Sequence, residues 1–139
     1  MNEYMIERYN SLVKPEDKCY FLGDVVINRK ALVNVGRLNG EKILIKGNHD
    51  IFKLEDYTEY FRDIRAYHVV HNIIFSHIPI HSDSKGRFKA NVHGHLHADF
   101  VTDACGNIDP WYINVCVENT EYGPILMDEV YAMVNKLSE

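Results

Sequence analysis

A chain of 139 residues, 46% hydrophobic and 25% charged, has the size and composition of one folded domain and not of a disordered polymer. Its net charge of −5 and the lack of any basic run exclude the non-specific, phosphate-gripping mode of nucleic-acid binding, which needs a basic face. An anionic substrate would therefore have to be attracted locally, as a bound metal cluster would do.

Cys19, Cys105 and Cys116 are odd in number and show no Cys-x-x-Cys spacing, which argues against a disulfide framework or a zinc ribbon. They read as reduced, buried thiols of a cytoplasmic protein. The N-terminal segment MNEYMIERYN is polar and amphipathic rather than an apolar leader. No apolar run approaches the roughly 18 residues that span a bilayer, so no membrane partner is expected.

In chain order, Met5, Ile6, Tyr9, Leu12 and Val13 share one helical face and predict a helix over residues 3–13, ended at Pro15. Cys19-Tyr20-Phe21-Leu22 is a short apolar run stopped by Gly23, a buried strand. Leu32, Val35 and Leu38 predict a helix over 28–38, closed by Asn39-Gly40. Ile43-Leu44-Ile45 is a second buried strand before Gly47, so a strand–helix–strand unit delivers two polar loops from the C-terminal ends of its strands.

Residues 54–61 predict a short helix. Arg65–Val70 and Asn72–Ser76 predict two strands joined tightly at His71-Asn72, as in a hairpin. The stretch 81–89 is a polar loop, in which Lys85, Arg87 and Lys89 read as a solvated charged surface. Asn91–His93 is a strand, and Trp111–Val117 another, with Trp111 in the core. Val130, Met133, Val134 and Leu137 predict a C-terminal amphipathic helix. There is no internal repeat or low-complexity linker, so one mixed α/β domain over 1–139 is expected.

Four blocks end predicted strands: Gly23-Asp24, Gly47-Asn48-His49-Asp50, Ser76-His77 and Gly94-His95-Leu96-His97. Glycine before the polar residue lets the backbone turn sharply and approach a ligand. Asp, Asn and His supply oxygen and nitrogen to borderline metals. Alone, each block is ordinary: Gly-Asp is a common turn, and Asn and Asp suit caps and turns equally. Four in this order, each at a strand end, are not.

Together they resemble the calcineurin-like metallophosphoesterase family, from about residue 18 to the last strand. Ile113-Asn114-Val115-Cys116-Val117-Glu118 also looks like the tail of small phage and bacterial members. The resemblance implies a β-sandwich flanked by helices. It implies that Asp24 bridges two metals, that Asn48, His77 and His95 complete one site, and that His97 belongs to the other. His49 would stand beside the leaving group as proton donor or charge stabiliser, a role that suits a side chain titrating at roughly pH 6–7. Asp50 would fix the Gly-Asn-His loop or serve structure alone. Paired divalent ions (manganese, iron, zinc or nickel) would hold the phosphoryl oxygens of a phosphate-ester substrate and activate a water. No Gly-x-Ser-x-Gly nucleophile motif competes with this chemistry.

One departure is as informative. Family members open with a strand and an Asp-x-His block, and this chain contains no Asp-x-His. The expectation is an N-terminally incomplete domain without its first strand, in which one metal site is complete and the second weak or empty. The uncovered sheet edge would suit a homodimer. Two functions follow as alternatives: hydrolysis of a phosphomonoester or phosphodiester, with nucleic acid relevant only as substrate, or a catalytically weakened binding or regulatory module on the same fold. His81 and His93 flank the site as candidate supporting residues, and His68 and His71 belong to strand turns.

Overall fold

In the computed structural model, residues 3–23, 32–48, 50, 53–116, 119–120 and 123–137 are described. They form a mixed α/β fold with two sheets. Helix α1 (Glu3–Leu12) leads to strand β1 (Lys18–Phe21), a 3₁₀ helix (Val33–Arg37), β2 (Glu41–Ile45), helix α2 (Leu54–Thr58) and β3 (Asp63–Arg65). The second half runs β4 (His68–Val70), β5 (Ile73–Ser76), a 3₁₀ turn (Ser82–Ser84), β6 (Ala90–His93), β7 (Tyr112–Asn114) and helix α3 (Met127–Lys136). Among the described residues no helix is long and apolar enough to cross a membrane.

The first sheet has the order β1-β2-β3, all parallel, with Phe21 opposite Leu44 and Leu44 opposite Ile64. That register puts Cys19, Phe21, Leu44 and Ile64 on one face, because alternate residues of a strand share a side. Ile6, Tyr9 and Val13, with Leu32, Val35, Leu38, Tyr57 and Phe61, cover this face as one core. The second sheet has the order β4-β5-β6-β7, antiparallel at β4 and parallel thereafter. Ile73, Phe75, Ala90 and Val92 line its apolar face, and α3 closes it with Val130 and Val134.

Several local expectations are refined. The apolar spacing of Leu32, Val35 and Leu38 is three throughout, which suits the three-residue turn of a 3₁₀ helix better than 3.6. Residues 28–31 of the expected helix lie outside the described residues. The expected strand 65–70 is divided: Arg65 ends β3 in the first sheet and His68 begins β4 in the second, so the chain changes sheets at Ala66-Tyr67. The tight hairpin is present, with His71 at φ 51° and Asn72 at φ 61°, the paired left-handed residues of a type I′ turn. In α3, Val130 and Val134 are buried while Met133 and Leu137 are exposed, a narrower stripe than the spacing suggests.

None of the three cysteines is joined in a disulfide. Cys105 is exposed, against the expectation of three buried ones, because it sits in a turn where its N–H is held by Asp103. Cys19 is half-buried, and the loss of solvation pushes its thiol up. Lys85 does not belong to a freely solvated loop. Its ammonium lies 4.6 Å from the ring centre of the half-buried Trp111 and 3.6 Å from Asp109, which folds the 81–89 segment back onto the start of β7.

Candidate functional site

The four sequence blocks lie at the ends of β1, β2, β5 and β6, each of which has at least one parallel neighbour, so the polar loops start from the strands' C-terminal ends. Asp24 and His49 lie outside the described residues; Asn48, Asp50, His77, His95 and His97 lie within them. Gly23, after β1, has φ 86°, and a β-carbon there would stand 2.6 Å from both the Gly47 α-carbon and the His77 Nδ1. No side chain fits between these loops, which is why glycine holds this position.

His77 follows β5 and is buried. Its Nδ1 lies 2.7 Å from the Leu22 carbonyl oxygen, which accepts only, so Nδ1 carries the proton. In that tautomer Nε2 presents its lone pair. It lies 2.8 Å from Asn48 Oδ1 and 3.1 Å from His95 Nδ1. Three of the four side chains expected to share one ion thus meet, from β2, β5 and β6. An ion with bonds near 2.1 Å has donor–donor edges of roughly 3.0–3.4 Å in octahedral or tetrahedral geometry, close to these separations. The arrangement suits a small cation: a lone-pair donor fixed by a backbone carbonyl faces an amide oxygen and a second imidazole. Among the described residues no group of three or more His, Cys, Asp or Glu side chains is arranged to hold a metal ion; the third polar group here is an amide.

The loop bearing Asn48 is braced by Asp50. This carboxylate, 1% exposed, accepts the Gly47 N–H at 2.8 Å, while the Asp50 N–H reaches back to the Gly47 carbonyl at 3.2 Å. This two-way link between Gly47 and Asp50 ties the two ends of the loop together, which fits either reading of Asp50, as the group that fixes the Gly-Asn-His loop or as structure alone.

His95 and His97 both occupy left-handed backbone, at φ 68° and 54°. His97 is exposed and lines the same cavity as His77 and His95. This cavity, about 380 Å³, is mostly apolar and runs from the histidines along the outer side of β1, past Tyr20, Phe21, Cys116, Ile125 and Val130. Among the described residues β1 pairs only with β2, so an uncovered strand edge and an apolar hollow coincide.

Two of the flanking histidines separate. His81 is exposed and accepts the Asp83 N–H, which caps the 3₁₀ turn. His93 is fully buried; its Nδ1–H donates to the Gly94 carbonyl at 2.8 Å, and its Nε2 has no hydrogen-bond partner among the described residues. Burial holds this imidazole below the ordinary range, and His95 and His77 add to the effect against the opposing Gly94 bond. His68 is in β4, stacked 4.7 Å from the Tyr20 ring, and links the two sheets.

Residues that sequence reasoning did not single out for the site also emerge. The Leu22 carbonyl sets the His77 tautomer, and the side chains of Asn114 and Asn119 each donate to the His97 carbonyl at 2.8 Å. The one available signal was the tail segment 113–118, which contains Asn114.

No family model matches the chain. It is 33% identical over 142 residues to the uncharacterized protein MJ1445 of Methanocaldococcus jannaschii, over 98% of this chain and 76% of that protein. The crystal structure of AQ665 from Aquifex aeolicus, described as a protein of unknown function, superposes with a TM-score of 0.71 and 29% identity, over 94% of this chain and 83% of the other.

Proposed function

We propose, for a chain that belongs to the same family as the archaeal protein MJ1445, the metal-dependent hydrolysis of a phosphate ester by an activated water. The observation that carries this reading is the placement of His77 Nε2 at 2.8 Å from Asn48 Oδ1 and 3.1 Å from His95 Nδ1, with the His77 tautomer set by a backbone carbonyl. Asn48, His77 and His95, with Asp24, would hold one divalent transition-metal ion; His97 and Asp24 would serve a second, weaker one. Such ions, when bound, polarise phosphoryl oxygens and acidify water.

The chain's own residues supply the rest. Asp24 would be the carboxylate ligand beside the imidazole and amide donors, and such a set with a divalent ion would retain net positive charge, which attracts a phosphate dianion despite the acidic surface. His49, the residue after Asn48 in sequence, would act on the departing oxygen as proton donor or charge stabiliser. Calcineurin-like architecture is the corresponding fold reading, supported by parallel strands that deliver all four blocks at their C-terminal ends. Cysteines outside any disulfide support a reducing, cytoplasmic setting. The uncovered β1 edge and the adjoining cavity support self-association through that edge.

Purified protein with manganese is to be assayed on aryl phosphate monoesters and diesters beside Asp24→Ala and His49→Ala. Hydrolysis that falls at least 100-fold in both variants is expected, and hydrolysis indifferent to both would remove the enzyme reading. The second reading is a weakened binding module on the same fold, motivated by the lack of an Asp-x-His block within residues 1–139. Two tightly held metals per chain would count against it.

A further inference from the structure

The turn that carries His95 and His97 is built against the preference of its own backbone. The Leu96 N–H reaches the Gly94 carbonyl at 2.8 Å, a two-residue closure around His95 at φ 68°, which is the rare and strained form of γ-turn. The Asp99 N–H then reaches the Leu96 carbonyl at 2.9 Å, a second tight turn that contains His97 at φ 54°. Two left-handed non-glycine residues within three positions persist only where the surroundings over-determine them.

Those surroundings are two amides. Asn114, at the end of β7 and 8% exposed, uses every hydrogen-bonding group of its side chain. Its Nδ2 donates to the His97 carbonyl at 2.8 Å and to the Asp99 carbonyl at 2.7 Å, and its Oδ1 accepts the Cys116 N–H at 2.9 Å. Asn119 donates to the same His97 carbonyl at 2.8 Å. Only an amide does this: it offers two donors and an acceptor from one planar group, whereas aspartate would set an oxygen against two carbonyl oxygens. We infer that Asn114 and Asn119 are positioning residues, which hold the His95–His97 turn in its left-handed form so that His95 Nδ1 stays beside His77 Nε2. The metal-binding part of this inference rests on the function proposed above; the clamp itself does not.

The test uses zinc alone as probe, on the full chain with Asn114→Asp and Asn119→Ala. Zinc affinity is measured by competition with a chromophoric chelator, and the histidine tautomers by long-range nitrogen–proton correlation. In the wild type His95 is expected to ligate through Nδ1 and His77 through Nε2. Asn114→Asp is expected to weaken zinc 10- to 100-fold, the range for loss of a group that orients a ligand. It should also shift His95 away from the Nδ1-bound form, with His77 unchanged. Asn119→Ala, at an exposed position, is expected to fold and to weaken zinc several-fold.

Variants that lower the urea midpoint but leave affinity and the His95 tautomer at wild-type values would overturn the positioning role. If the wild type itself takes up no zinc, the metal reading fails. The clamp is then judged in the metal-free proteins by amide hydrogen exchange: faster exchange at Leu96 and Asp99 in the variants supports it, and unchanged exchange overturns it.

Discussion

Gly23 shows how one missing side chain permits the site. With φ at 86° and a β-carbon position 2.6 Å from the Gly47 α-carbon, Gly23→Ala must either strain the backbone or separate the β1 and β2 loops. A loss of about 2–4 kcal/mol in urea unfolding is expected. Metal affinity should fall with it, because the same atom would press on His77 Nδ1. His68 makes a second residue-scale prediction. Burial lowers its pKa first, and Arg65 and Lys18 add their charges; Arg65 Nη1 donates to its Nδ1 at 2.7 Å, which requires a neutral ring. Tyr20 and Phe75 face it from β1 and β5, and Asp63 holds the Arg65 guanidinium at 2.7 Å from the other side. Since the folded value lies below the unfolded 6.5, the unfolded chain takes up the proton first as pH falls. The contribution is complete above about 6.5 and is lost as pH descends toward the folded value. His68→Gln should flatten the stability profile in that window, measured by urea midpoints from pH 7.5 to 5; an unchanged acid slope would remove the claim.

At the scale of elements, Lys42 in β2 is a buried lysine that closes the 3₁₀ helix behind it. Its ammonium donates to the Leu38 carbonyl at 2.7 Å and to the Gly40 carbonyl at 3.2 Å, and burial lowers its pKa. Lys42→Met keeps the aliphatic stem and abandons both carbonyls, so about 1–3 kcal/mol should be lost in urea unfolding. The elements themselves were largely legible: short apolar runs before glycine gave β1 and β2, the Asn91–His93 segment entering Gly94 gave β6, and the His71-Asn72 turn gave a hairpin. The division of 65–70 between two sheets was not, because alternation along a strand says nothing about which sheet receives it. Site residues were legible where a glycine and a polar side chain followed a strand. Asn114 and Asn119 were not legible as supports, because their partners are carbonyls 15–22 residues away, and carbonyls have no sequence signature.

For the whole molecule, the parallel pairings join segments far apart in the chain, and the candidate donors come from both sheets: Asn48 from the first, His77 and His95 from the second. Parallel pairing between distant segments is slow to assemble, since loop closure precedes any gain from contact. The donors meet only once the two sheets have docked, so a cation has nothing to grip before that stage. Zinc should therefore leave the refolding rate in denaturant jumps unchanged while slowing unfolding in proportion to its binding. Acceleration of refolding by zinc would contradict this order of events. The ion would then act as a late latch between the halves, lengthening the lifetime of the native state without guiding the search for it.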